Sequence, residues 1–180
     1  MALGATIYKV ELSVADTDRH YYSSHNLTVA RHPSETIERM LVRLLAFALH
    51  AHEDLVFTKG ISDADEPDIW LKDLTGVIEL WVEVGQPSPA RIAKACGRAR
   101  SVVVYCYGGH ASKVWWDGVR EKVDRLKNLK VICVPDAVGE LAKGIERNIE
   151  LQVTIQEGDL FVSVAGNQMN LTPVLWREDT

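Results

Sequence analysis

Pro67-Asp68-Ile69-Trp70-Leu71-Lys72 and, after a turn, Val77-Ile78-Glu79-Leu80-Trp81-Val82-Glu83-Val84 are the stretches that decide how this chain reads. Both alternate apolar with polar side chains and are rich in β-branched and aromatic residues, which predicts two strands. Thr75-Gly76 between them predicts a two-residue hairpin turn, with glycine at a position needing positive φ. In that register Leu74 pairs with Val77, Lys72 faces Glu79, Trp70 faces Trp81 and Asp68 faces Glu83. Side chains alternate with period two, so Asp68, Trp70, Lys72, Glu79, Trp81 and Glu83 share one sheet face. Two carboxylates opposite one another repel by ~0.2–1 kcal/mol. A chain keeps such a pair by placing a cation between them or by raising one pKa. Lys72 is the nearest base, and Glu79 already stands opposite it. A divalent ion that prefers oxygen, Mg²⁺ or Mn²⁺, fits the gap. The plainer alternative is a solvated, polar strand end.

A helix follows directly. Ser88-Pro89 is an N-cap residue with proline at the first helical position. From there Arg91, Lys94 and Arg98 fall on one helical face and Ile92, Ala95, Cys96 and Ala99 on another. The order of Pro-Asp, spacer, Glu at the end of an apolar strand, then helix resembles the PD-(D/E)XK nuclease superfamily. That resemblance implies that Asp68 and Glu83 bind Mg²⁺. It also implies a lysine two residues past the second acid, which polarises the attacking water. Here that position is Gly85. Superfamily members with glutamine near this place, or with the lysine moved to the next helix, make Gln86 and Lys94 the candidates. Arg91 and Arg98, with Lys94, would then hold a nucleic-acid backbone. Read without the resemblance, the three cations are also the wet face of an amphipathic helix.

The rest of the chain is consistent with one domain over residues 1–180, mildly acidic at a net charge of −5. That charge argues against a general nucleic-acid coat. Yet from Arg91 to Lys130 ten Lys or Arg stand against Asp117, Glu121 and Asp124, a segregation that suits a phosphate-binding face. Residues 5–14 and 25–31 alternate as strands. Ser34 caps a helix whose stripe is Ile37, Met40, Leu41, Leu44, Leu45 and Ala48. Glu35 and Glu38 in its first turn complement the helix dipole; the superfamily resemblance offers them as extra metal ligands. Asp63, Asp65 and Glu66 read as a solvated loop. Ser101–Tyr107 is a continuous apolar run ending at Gly108-Gly109, the pattern of a strand buried on both faces. Residues 112–127 predict another helix and 130–134 another strand. Strands at 151–156, 160–165 and 169–176 follow, the last broken by Pro173. Cys96, Cys106 and Cys133 read as reduced core thiols. No basic, apolar leader and no membrane-length apolar run is present, so the expectation is a cytoplasmic protein, monomeric, with no membrane contact.

His32-Pro33-Ser34-Glu35, Arg43-Leu44-Leu45-Ala46-Phe47, Glu66-Pro67-Asp68-Ile69-Trp70, Trp81-Val82-Glu83-Val84-Gly85-Gln86-Pro87 and Val102-Val103-Val104-Tyr105 together resemble the YaeQ family nearly end to end. That implies a compact variation on the PD-(D/E)XK fold. The expected architecture is α+β, a mixed sheet flanked by helices over about 34–135. An additional antiparallel sheet is expected from strands 5–31 and 150–176. Two functions stand open. One is a Mg²⁺- or Mn²⁺-dependent nuclease acting on DNA or RNA through Asp68, Glu83, Gln86 and Lys94. The other is a nuclease-like fold that no longer cuts and binds a nucleic-acid or protein partner, in transcription regulation for instance.

Overall fold

The computed structural model describes residues 4–180. The chain forms two compact units: the chain up to Ala51 with Ala137–Pro173, and His52–Asp136 with Val174–Thr180. Both units contain helices and strands, an α+β architecture built on two mixed sheets.

The first unit opens with β1 (Thr6–Asp16) and β2 (Tyr21–Arg31), an antiparallel hairpin in unbroken register from Thr6↔Arg31 to Asp16↔Tyr21. Tyr8, Val10, Leu12 and Val14 of β1 are buried and its alternate residues are exposed, as period-two alternation requires. Helix α1 (Ile37–Leu49) follows. Its cap is Thr36, whose hydroxyl accepts the Arg39 N–H at 3.1 Å, not the expected Ser34. Ser34 is engaged instead with His32 Nδ1 at 2.6 Å. Glu35 is not a dipole complement in solvent either. It is 3 % exposed and takes Arg43 Nε and Nη2, both at 2.7 Å, and Arg39 Nη1 at 2.8 Å.

The second unit begins with β3 (Leu55–Phe57), β4 (Ile69–Lys72) and β5 (Ile78–Val84). Helix α2 (Pro89–Arg98), β6 (Ala99–Cys106), α3 (His110–Val119) and β7 (Leu129–Cys133) complete its run. Helix α3 is shorter than the expected 112–127; past Val119 the chain turns repeatedly. The chain then re-enters the first unit as α4 (Val138–Leu141), β8 (Asn148–Gln156), β9 (Asp159–Val164) and β10 (Asn167–Leu171), and ends with β11 (Val174–Arg177).

The first unit's sheet has the order β10-β9-β8-β1-β2 and the second unit's β11-β7-β6-β5-β4-β3. Two details differ from expectation. The sheet of terminal strands is mixed and not antiparallel, because β1 runs parallel to β8. The last strand also leaves that sheet. Thr172-Pro173 breaks 169–176 in two, since proline has no N–H for a ladder, and β11 pairs antiparallel with β7. In the second unit β5, β6 and β7 are parallel, and β6 reads as the continuous buried run its sequence predicts. Trp81, Ile92, Ala95, Val102, Val104, Trp116, Leu129 and Val131 form the core under α2 and α3.

Candidate functional site

Strands β4 and β5 pair as Ile69↔Val82, Trp70↔Trp81 and Leu71↔Leu80. The tryptophan rings meet edge to face, centroids 6.2 Å apart at 71°. The register then slips: Lys72 stands opposite Ile78, not Glu79. The cause is the loop, which is longer than a two-residue turn. Asp73 Oδ1 accepts from Thr75 N at 2.8 Å, Thr75 Oγ1 at 2.7 Å and Val77 N at 2.9 Å, an Asx-type closure that competes with the tight turn. Released from Glu79, Lys72 lays its ammonium 3.6 Å over the Trp70 ring, and Glu79 pairs with Arg100 at 3.2 Å.

Asp68 lies one residue before β4 and is 2 % exposed. Its backbone is pinned on both sides, N–H to Val82 O at 3.0 Å and C=O from Thr58 N at 3.1 Å. Its Oδ2 accepts the Val84 N–H at 2.8 Å, so the side chain finishes the ladder where β4 begins. Gly60 closes over it: a Cβ there would come within 2.9 Å of Asp68 Oδ1, and φ is +51°.

Glu83 is 3 % exposed on the same face of β5 as Trp81, two residues earlier. Its Oε1 accepts Trp81 Nε1 at 2.7 Å and Arg91 Nε at 2.9 Å, with Arg91 Nη2 also at 2.9 Å. Burial pushes the Glu83 carboxyl above the ordinary glutamate range. The Arg91 and Trp81 hydrogen bonds oppose that rise, and the charge of Asp68 adds to it. The two acids are therefore electrostatic neighbours on this hairpin.

Arg91 reaches Glu83 from the first turns of α2, which Ser88 caps by accepting the Arg91 N–H at 3.2 Å. Its remaining donors go to Ala64 O at 3.0 Å and Glu66 O at 2.8 Å. Lys94 is ion-paired with Asp65, which holds that carboxyl below its ordinary range. Arg98 donates to Asp65 O at 2.6 Å and places its guanidinium 5.1 Å from the Trp81 ring centroid. The loop keeps Asp65 exposed, as expected, and its carbonyls together with Asp65 also receive the basic helix face. Gly85, two residues past Glu83, has φ +108°, a conformation side chains rarely adopt, and its N–H donates to Tyr105 O at 2.9 Å. Gln86 is exposed.

Asp68 and Glu83 are hard oxygen donors of the type Mg²⁺ or Mn²⁺ takes. Among the described residues no cluster of three or more His, Cys, Asp or Glu side chains forms a metal-holding group. The decisive feature is the guanidinium already 2.9 Å from Glu83 Oε1. A divalent ion about 4 Å from that charge would be repelled by about 8 kcal/mol at an effective dielectric of about 20. As arranged, the pair does not fit a resident divalent ion.

Sequence reasoning placed Asp68, Glu83, Trp70 and Trp81 on one face but missed Arg91 as Glu83's partner. The available signal was its position in the first turn of the helix that follows the acid.

A family model described as YaeQ protein matches residues 1–173. Relatives described as uncharacterized protein YaeQ come from Salmonella typhi, 42% identical, and Escherichia coli (strain K12), 40% identical, each over 179 residues and 99% of both chains. Two crystal structures are similar. The YaeQ protein of Xanthomonas axonopodis pv. citri has TM-score 0.91 and 44% identity, covering 96% of this chain and 98% of that one. The YaeQ protein of Pseudomonas syringae has TM-score 0.93 and 40% identity, covering 97% of each.

Proposed function

This chain belongs to the YaeQ family, and from that premise we propose that it works by binding and not by cutting: a nuclease-like module whose acidic pair is neutralised from within. The observation that carries this is the Arg91 clamp, with Nε and Nη2 on Glu83 Oε1 and two arms on the Ala64 and Glu66 carbonyls. Three further points agree. Gly85 holds a backbone conformation that disfavours lysine. Lys94 is tied to Asp65 at the surface and not to the acids. The α2 cations that would hold phosphates are bonded to the 63–66 loop. With that face compensated and a net charge of −5, the partner class favoured is protein over nucleic acid. Among the described residues no helix is long and apolar enough to cross a membrane.

Metal-dependent cleavage of DNA or RNA is the second reading, favoured by one observation: Asp68 and Glu83 are both buried and the charge of one bears on the other. The test is a panel of single- and double-stranded DNA and RNA with Mg²⁺ or Mn²⁺. Binding is followed alongside by fluorescence anisotropy. The expected result is no cleavage by the wild-type protein, and nucleic-acid binding that Arg91→Ala and Arg98→Ala leave unchanged. Cleavage that disappears in both Asp68→Ala and Glu83→Ala would overturn the proposal. Salt-dependent binding lost in the arginine variants would overturn the choice of protein as partner.

A further inference from the structure

Cys106 and Cys133 close β6 and β7 as directly opposed partners of a parallel pair. Adjacent strands lie about 4.8 Å apart, inside the Cα separation of about 4.4–6.8 Å that a disulfide spans. Opposed residues of a parallel pair send their side chains to the same face, so the register alone sets the two sulfurs side by side. Their surroundings differ. Cys106 is fully buried, its sulfur 3.4 Å from Ile132 O. Cys133 is partly exposed and its sulfur lies 3.8 Å from the Ser112 hydroxyl in the first turn of α3. The third cysteine, Cys96, sits on α2 and is paired with neither.

We infer that Cys106 and Cys133 form an oxidisable dithiol, a site that hydroperoxides convert to an intramolecular disulfide joining the ends of β6 and β7. Reaction begins at the exposed sulfur, because burial pushes the Cys106 thiol far up and leaves it protonated. The Cys133 thiolate attacks the peroxide, the O–O bond breaks, and Cys133 becomes a sulfenic acid as one water, or the alcohol of an organic hydroperoxide, is released. The Cys106 sulfur then attacks the Cys133 sulfur. The S–O bond breaks and hydroxide leaves with the Cys106 thiol proton as water. Two thiols are oxidised to one disulfide and one hydroperoxide is reduced. A thiol reductant reverses the change by exchange at the accessible Cys133 sulfur.

The experiment treats the full chain with hydrogen peroxide and then counts free thiols after denaturation, with peptide mapping under non-reducing conditions. The expected result is a fall from three thiols to one, a mass loss of two hydrogens, a Cys106–Cys133 linked peptide, and recovery on reduction. Cys96→Ser should still form the link. Cys106→Ser should stop at a Cys133 sulfenic acid that dimedone traps. Three titrating thiols after oxidation, a link through Cys96, or a link between two chains would overturn the inference. The wild-type peptide map decides the matter even if a variant fails to fold.

Discussion

Replacing Arg91 with alanine removes the cation that faces Glu83 and leaves a buried carboxylate with only the Trp81 N–H on Oε1. Breaking a buried ion pair from one side costs about 3–5 kcal/mol. Here the Glu83 side chain is 4% exposed but that of Arg91 is 26%, which pulls the figure to the low end. Loss of the bonds to Ala64 O and Glu66 O adds about 0.5–1.5 kcal/mol each, less where water replaces the donor. The expected destabilisation is about 3 kcal/mol at pH 7. The dependence on pH follows from Glu83. Burial raises its folded pKa, so the native state holds the proton more tightly than the unfolded chain. The stability contributed this way is full below the unfolded glutamate value and is lost as pH rises through the folded one. Without Arg91 the folded value rises further, so the variant's deficit is greatest at neutral pH and shrinks on acidification. Urea unfolding followed by tryptophan fluorescence reads this directly. All five tryptophans, at positions 70, 81, 115, 116 and 176, belong to the second unit. Combining Arg91→Ala with Glu83→Gln should recover about 2 kcal/mol of the loss, since the uncompensated charge is gone. A deficit below about 1 kcal/mol at pH 7, or one equal at pH 7 and pH 5, would refute the ion-pair account.

Asp68→Ala should destabilise by about 1–3 kcal/mol because the buried Val84 N–H loses its acceptor, whereas Asp68→Asn, whose amide oxygen can accept, should stay within about 1 kcal/mol of wild type by the same unfolding curve. Trp81→Ala should cost about 3–5 kcal/mol, since Trp81 is 2% exposed in the core. Trp70→Ala with Trp81→Ala should lower the melting temperature more than removing either acid, and an unchanged melting temperature would count against the tryptophan pair as a packing element. In the first unit, Glu35→Ala strips the buried Arg43 guanidinium of its carboxylate and should cost about 3–5 kcal/mol, measured by circular dichroism against urea.

The parts of the fold that were legible share a physical cause. Alternation in β1, the unbroken apolar run of β6 and the Ser88-Pro89 start of α2 all reflect local demands of burial and capping. The Trp70↔Trp81 register was legible because a one-residue slip would send every apolar side chain to the wrong face. What stayed hidden depends on contacts distant in sequence or on side chains competing for backbone. Asp73 captures the hairpin loop and shifts Lys72, though Thr75-Gly76 alone satisfies the rule for a tight turn. Glu35 and Arg43 lie eight residues apart, outside the spacing at which one helix pairs its own side chains, so their bond was not readable. For Glu83 the residue type and its place two residues after Trp81 were readable, but its occupant was not: an arginine eight residues later on another element holds it.

That occupant bears on how two buried acids are accommodated on one hairpin. Asp65, Asp68 and Glu83 carry three negative charges among elements that also present Arg91, Lys94 and Arg98; hydrogen bonds join Arg91 to Glu83 and tie all three cations to the 63–66 loop. With the acids ionised, the cluster is close to electroneutral. Adding a divalent cation would leave two excess positive charges beside the buried Glu83, and the repulsion of about 8 kcal/mol from Arg91 alone equals the free energy of micromolar binding. A tethered guanidinium also needs no translational entropy to find its site, an advantage that a free ion in millimolar solution lacks. Glu83 is therefore held by a tethered guanidinium on α2. Isothermal titration of Mn²⁺ should detect no binding to the wild-type protein and weak binding to Arg91→Gln that Asp68→Asn abolishes. Tight binding of Mn²⁺ to the wild-type protein would show that Arg91 moves aside and would return the pair to metal chemistry.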